Sequence, residues 1–167
     1  MHIPDICPAC HQPEPQSFAA LMEMYEANYI RLRQLIPDLL SWSDQETRIS
    51  EVDGALNLYA RLDEVTRYTV TLWLSYDFGV ECHKKRFKPD LLVRVYLDAR
   101  QAEVLSRTCR FDEVDLRRQR GDLDTQLICK WRLNRFLYKW LGYCLRQGHL
   151  VAIHDQPLAK TGVSRQV

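Results

Sequence analysis

The run from Asp124 to Gly148, DTQLICKWRLNRFLYKWLGYCLRQG, constrains the fold more than any other stretch. At about 100° per residue, Leu133, Phe136, Leu137, Trp140, Leu141, Cys144 and Leu145 fall on one arc of a helix. Arg132, Arg135, Lys139 and Arg146 fall on the opposite side. Asp124 or Thr125 can cap the first turn, and Gly148 can end the last, with Arg146 near the negative end of the helix dipole. Gln126, Lys130 and Asn134, at i, i+4 and i+8, fall within the apolar arc. Either the first turns project beyond the core and these residues are solvated, or they form a polar ladder facing the interior or a cleft.

A second helix is predicted from Ser17, a candidate N-cap. Phe18, Leu21, Met22, Tyr25, Tyr29, Leu32 and Ile36 recur at threes and fours, and Pro37 closes the run. Asn28 falls inside this stripe, where a satisfied core amide is the simplest reading.

Residues 38–54 read as a polar connection with Asp53-Gly54 as a turn, and Ala55 to Leu62 as a weakly alternating strand. Thr66 to Tyr76 alternates best: Tyr68, Val70, Leu72, Leu74 and Tyr76 face one way, Arg67, Thr69, Thr71, Trp73 and Ser75 the other. The basic run Cys82 to Lys88 is predicted to be a solvated hairpin loop, with phosphate contact as the other reading. Leu91 to Asp98 alternates again, and Ala102 to Arg107 makes a short further strand. Residues 108–123 form an irregular connection. The predicted class is therefore α+β: a two-layer sandwich, with a three- to four-stranded antiparallel meander and both helices on one face.

A chain of 167 residues, 46% apolar and 27% charged, can bury one core. One domain is expected over residues 18–149, between flexible tails at 1–17 and 150–167. There is no apolar run long enough for a membrane span, and MHIPDICPAC lacks the basic leader and apolar core of a signal peptide. Six cysteines at irregular spacing suggest free thiols in a reducing cytoplasm. The net charge of +1 hides a gradient from an acid-rich first third to a basic stretch at 117–146. Such halves can attract one another, or the basic face can meet an anionic partner.

Cys7-Pro8-Ala9-Cys10-His11 supplies at most half of a zinc site: two thiolates at that spacing can bite one metal, with His11 adjacent. The redox reading of CxxC lacks its usual strand–helix context, and an inert tail is the third reading.

Four segments taken together resemble the YqiB-like family of small bacterial proteins, a domain of unknown function. They are LMEMYEANYIRLRQLIP (Leu21 to Pro37), EVTRYT (Glu64 to Thr69), VRVYLDARQAEV (Val93 to Val104) and NRFLYKWLGYCLRQG (Asn134 to Gly148). The resemblance implies a cytosolic bacterial protein with no established activity. Gln126, Lys130 and Asn134 match polar positions of the family's last helix, and Asn28 and Arg94 match elsewhere. The CPACH segment lies outside it.

Three function classes follow. A protein-interaction or regulatory module is the leading one. Nucleic-acid binding would use Arg67, Trp73 and Tyr96, with Arg94, on the sheet face away from the helices. An enzyme or small-ligand binder would use a polar cluster of Asn28, Glu64, Arg94, Asp98, Gln126, Lys130 and Asn134. In that cluster Lys130 would pair with Glu64 or Asp98, and Asn28 would bridge to Asn134. No GxGxxG, P-loop, HExxH or GxSxG is present. No cofactor other than zinc is suggested.

Overall fold

The computed structural model describes residues 14–81, 84–105 and 122–152. Helix α1 (Phe18–Leu35) starts where its cap predicts: Ser17 is extended and its Oγ accepts the Ala20 N–H at 3.1 Å. That bond satisfies one of the donors a helix start leaves open. Leu21, Tyr25, Asn28, Leu32 and Leu35 make its buried face. Pro37 then ends the helical run, and a 3-10 turn at Leu39–Ser41 places Leu39 in the core.

Five strands follow: β1 (Thr47–Ser50), β2 (Leu58–Val65), β3 (Thr69–Glu81), β4 (Lys84–Tyr96) and β5 (Gln101–Val104). All neighbours pair antiparallel in the order β1-β2-β3-β4-β5, a simple meander. The predicted three or four strands become five because β1 carries no apolar alternation; only Ser50 of its four residues is buried. The basic run is not a loop. From Lys84 onward it is strand, with Phe87 opposite Asp77 and Lys88 opposite Tyr76. Backbone pairing with the long β3 supports it whatever the side-chain polarity.

The two best alternations lie where they were predicted, except that Tyr68 falls in the turn before β3 and is half exposed. Val70, Leu72, Leu74 and Tyr76 of β3, with Leu91, Val93 and Val95 of β4, are buried on one face. They join Leu58, Ala60 and Leu62 of β2, and Ala102 and Val104 of β5, in a core shared with Leu32, Leu35, Leu137 and Leu141 from the helices. Each fully buried leucine of this kind contributes about 1.5–3 kcal/mol. The architecture is an α+β sandwich with an open antiparallel sheet.

Helix α2 (Asp122–Arg146) ends on Gly148, whose φ of 88° suits a residue without a Cβ. His149 N–H bonds to the Cys144 carbonyl and Gly148 N–H to that of Leu145, the paired bonds of a Schellman cap. Val151, assigned to the tail by sequence, is buried and donates to the Leu35 carbonyl at 2.8 Å. Contacts between the helices advance in the same direction, from Tyr25 near Trp131, through Asn28 at Asn134, to Arg31 at Tyr138. The two helices therefore run parallel. Phe136, expected in the apolar arc, is instead 45% exposed at its flank.

No helix among the described residues is long and apolar enough to cross a membrane. The expectation of free thiols needs correction. Cys144 is a free buried thiol, but Cys129 is disulfide-bonded. Sequence spacing does not register two thiols brought together by the fold.

Candidate functional site

Both helices flank strand β5, which forms one margin of the sheet. At this margin polar side chains from three elements converge on Glu103. Its neighbours Ala102 and Val104 point into the core, so Glu103 faces the other way, yet it is only 8% exposed because side chains from α1, α2 and β4 converge on it. Glu103 Oε1 accepts the Tyr96 hydroxyl at 2.6 Å. Its Oε2 accepts the Tyr25 hydroxyl at 3.0 Å and the Lys130 ammonium at 3.2 Å. Strand β4 supplies Tyr96, α1 supplies Tyr25 and α2 supplies Lys130.

The electrostatics follow from that geometry. Burial pushes the Glu103 carboxyl pKa up, but the Tyr96 hydroxyl, the Lys130 ammonium and the Tyr25 hydroxyl together hold it below the ordinary carboxylate range. Burial raises the Tyr25 pKa, and the Glu103 charge raises it further. Tyr96 is raised by the same two causes, with Arg94 beside it opposing. The result is a fixed carboxylate held by two neutral phenols and one cation.

Above this group opens a cleft of about 600 Å³. Phe18, Leu21, Met22 and Leu127 form apolar walls, while Gln101, Gln126 and Lys130 bring polar groups to it. Phe18 is 66% exposed at the mouth, and the Lys130 side chain is 53% exposed.

One turn below Lys130 the row of polar residues enters the interior. Asn134 is fully buried, and its Oδ1 accepts the Val104 N–H of β5 at 2.9 Å. Its Nδ2 donates to the Lys130 carbonyl at 2.8 Å. Asn28, also fully buried, donates through Nδ2 to the Asn134 carbonyl at 3.2 Å and to its Oδ1 at 3.4 Å. Thus Gln126 stands in solvent, Lys130 at the cleft and Asn134 in the core. The predicted Asn28–Asn134 bridge exists, and it also ties both helices to β5.

Other candidates lie apart. Glu64 is exposed near the end of β2, opposite Thr71, and Asp98 is exposed with its Oδ1 on the Ala99 N–H. Lys130 meets neither; its partner is Glu103, which the sequence did not single out. Arg94 is the cross-strand partner of Glu103. Arg67 lies in the β2–β3 turn against the Tyr68 ring. Trp73 sits in a separate cluster on β3, edge-on to Phe87 at 5.3 Å, with Arg61 over its ring and its indole N–H donated to Asp90. Tyr96 is committed to Glu103. The register places Trp73, Arg94 and Tyr96 on the outward face of β3 and β4, with Arg67 in the turn before β3. Cys7, Cys10 and His11 lie outside the described residues, as do Cys82 and His83. Among the described residues, no group of three or more His, Cys, Asp or Glu side chains is placed to hold a metal ion.

The opposite half of α2 borders a second, more aromatic groove of about 530 Å³, lined by Tyr76, Phe78, Phe136, Trp140 and Tyr143 with Leu56, Lys88 and Pro89. Phe78, Phe136 and Tyr143 are each about half exposed there.

Comparison with known proteins settles the family. A family model described as a protein of unknown function, DUF1249, matches residues 31–150. The chain belongs to that family. Within the DUF1249 match lie Arg94, Tyr96, Glu103, Lys130 and Asn134, whereas Tyr25 and the first half of α1 precede it. The chain is also similar to "Uncharacterized protein YqiB" of Escherichia coli, in three strains of that organism, at 29% identity over 135 residues. The alignment covers 78% of this chain and 90% of the relative. The resemblance drawn from the four sequence segments thus holds. No solved structure matches the chain.

Proposed function

We propose that this DUF1249 protein is a binding module, not an enzyme, and that its ligand occupies the cleft over Glu103. The state of Glu103 carries this reading. A general acid or base has a pKa near the working pH and a free position for the proton it moves. Glu103 fits this poorly, because three donors occupy most of its acceptor sites and hold it as a carboxylate whose pKa is lowered. Tyr25 and Tyr96 are shifted further from neutrality, so they serve as fixed donors. The described lining includes no Ser, Cys or His to act as a nucleophile or its base. An apolar-walled concavity with a few convergent polar groups is the usual form of a small-ligand site.

A fragment screen by ¹H–¹⁵N NMR on the full chain tests this. Ligands should perturb the amides of Gln101, Gln126 and Lys130 together. A screen in which hits spare these residues, or cluster elsewhere, ends the reading.

A second reading, a protein partner, is supported by the exposed Phe78, Phe136 and Tyr143 around the aromatic groove, since aromatic side chains are enriched at interface cores. Phe136→Ser and Tyr143→Ser should then abolish capture of a partner while leaving the fold intact. An unchanged set of bound proteins would remove that reading.

A further inference from the structure

We propose that the ligand of the Glu103 cleft is an amphipathic monocarboxylate, its head group on the Lys130 ammonium and its apolar body against Phe18, Leu21, Met22 and Leu127. The inference rests on the reading of this cleft as a binding site and adds the chemistry of its occupant. Glu103 already has three donors on its two oxygens, so it offers little to an incoming donor. Lys130 is in the opposite state. Of its three N–H groups one is directed to Glu103, and the described residues supply no other acceptor. The Lys130 side chain is half exposed at the cleft and Glu103 only 10%, so although the pair is neutral overall its cationic end is the one a ligand meets.

Gln126, one turn earlier on the same face of α2, carries an amide beside it that can donate to the same oxygens. The number of free donors limits the head group. The ammonium's charge is already offset by Glu103, so it holds an anion through its two remaining N–H donors, enough for one carboxylate and short of a doubly charged phosphate, which ordinarily recruits Arg clusters or a nest of backbone N–H groups. The walls limit the rest: four apolar side chains line one continuous cleft of about 600 Å³, enough for an alkyl or aryl body.

The test compares octanoate, octylamine and octanol, which share a tail and differ in head group, by titration of the full chain with NMR readout at Gln101, Gln126 and Lys130. Octanoate should bind about tenfold more tightly than octanol, the size expected for one charge-assisted hydrogen bond, and octylamine more weakly than either. Lys130→Met should equalise octanoate and octanol. Glu103→Gln, by releasing the ammonium from its internal partner, should tighten octanoate; an amine ligand predicts the opposite sign for this variant. Should Glu103→Gln fail to fold, the Lys130→Met comparison still decides, because that side chain is half exposed. A preference for octylamine or octanol at these same amides overturns the monocarboxylate and keeps the binding site. Perturbations confined to the aromatic groove, or none at all, overturn both.

Discussion

Gly142 of α2 lacks a side chain where the guanidinium of Arg31 from α1 passes. A Cβ built there would overlap Arg31 Nη1 and lie 3.1 Å from its Cζ. Arg31 Nη1 donates to the Tyr138 carbonyl at 2.6 Å, and its Cζ lies 3.4 Å above the Tyr138 ring. In an α-helix that carbonyl already accepts the amide of residue 142, so the guanidinium uses its second lone pair. The parallel helices are thus joined by an arginine lying in a notch.

Gly142→Ala should displace the Arg31 guanidinium from Tyr138, and the lost bond, about 0.5–1.5 kcal/mol, should cancel the gain from alanine as the better helix former, leaving stability nearly unchanged. In an Arg31→Ala background the notch is empty, and the same substitution should stabilise by about 0.5–1 kcal/mol. Urea denaturation of the four proteins reads both values. Equal effects in the two backgrounds would show that the notch does not constrain position 142.

Asn134→Ala removes the acceptor of the buried Val104 N–H and one acceptor of Asn28. Leaving a buried donor unpaired costs about 1–3 kcal/mol, so this loss should appear in full. Asn28→Ala should cost less, because the Asn28 Oδ1 is buried without a partner among the described residues. Hydrogen exchange at Val104 should rise in the first variant and stay near its original rate in the second.

Two residues should shape the acid limb of stability, in separate windows. His149 is buried, its Nδ1 3.0 Å from Ser50 Oγ, and burial holds its pKa below the ordinary value despite the opposing Ser50 bond. The unfolded chain then takes up the proton first, so stability present above about pH 6.5 falls as the pH drops through that value. Glu103, also lowered, acts at and below the ordinary glutamate pKa of about 4.3, and its stabilisation is lost as the pH falls through its folded pKa. Denaturant midpoints measured from pH 8 to 3 should lose the first slope in His149→Gln and the second in Glu103→Gln. A first slope unchanged in His149→Gln would assign it elsewhere.

Cys144 is buried against Tyr76, whose hydroxyl lies 3.1 Å from its Sγ, and burial pushes the thiol pKa up to about 11. Since the thiolate is the reactive form, Cys144 should resist iodoacetamide at pH 8 in the folded protein and react on denaturation. Peptide mass spectrometry of the alkylated protein measures this directly.

The long elements were legible because each repeats one instruction many times. The alternation of Val70, Leu72 and Leu74, and of Leu91, Val93 and Val95, marked the inner faces of β3 and β4, and two asparagines inside apolar stripes signalled a bridge between the helices. What escaped was short or non-local. β1 has four residues, only one of them buried, so no period can be read from it. Glu103 lies in a four-residue strand, and one of its partners, Tyr25, is 78 positions away. Alternation with the core residues Ala102 and Val104 reads Glu103 as an ordinary outward-facing residue of an edge strand, so no local signal marked it. Local rules of this kind fail most often where polar groups converge.

Asn134 also has a consequence for how this sheet meets other chains. By taking the outward Val104 N–H, it occupies a group through which an added strand would bind, and the flanking helices screen that margin. β1, at the far margin, pairs with β2 alone among the described strands. Among the described residues, lateral extension by a foreign strand is therefore directional: β1 presents an edge that no described strand pairs, whereas past β5 an added strand would first have to dislodge a helix.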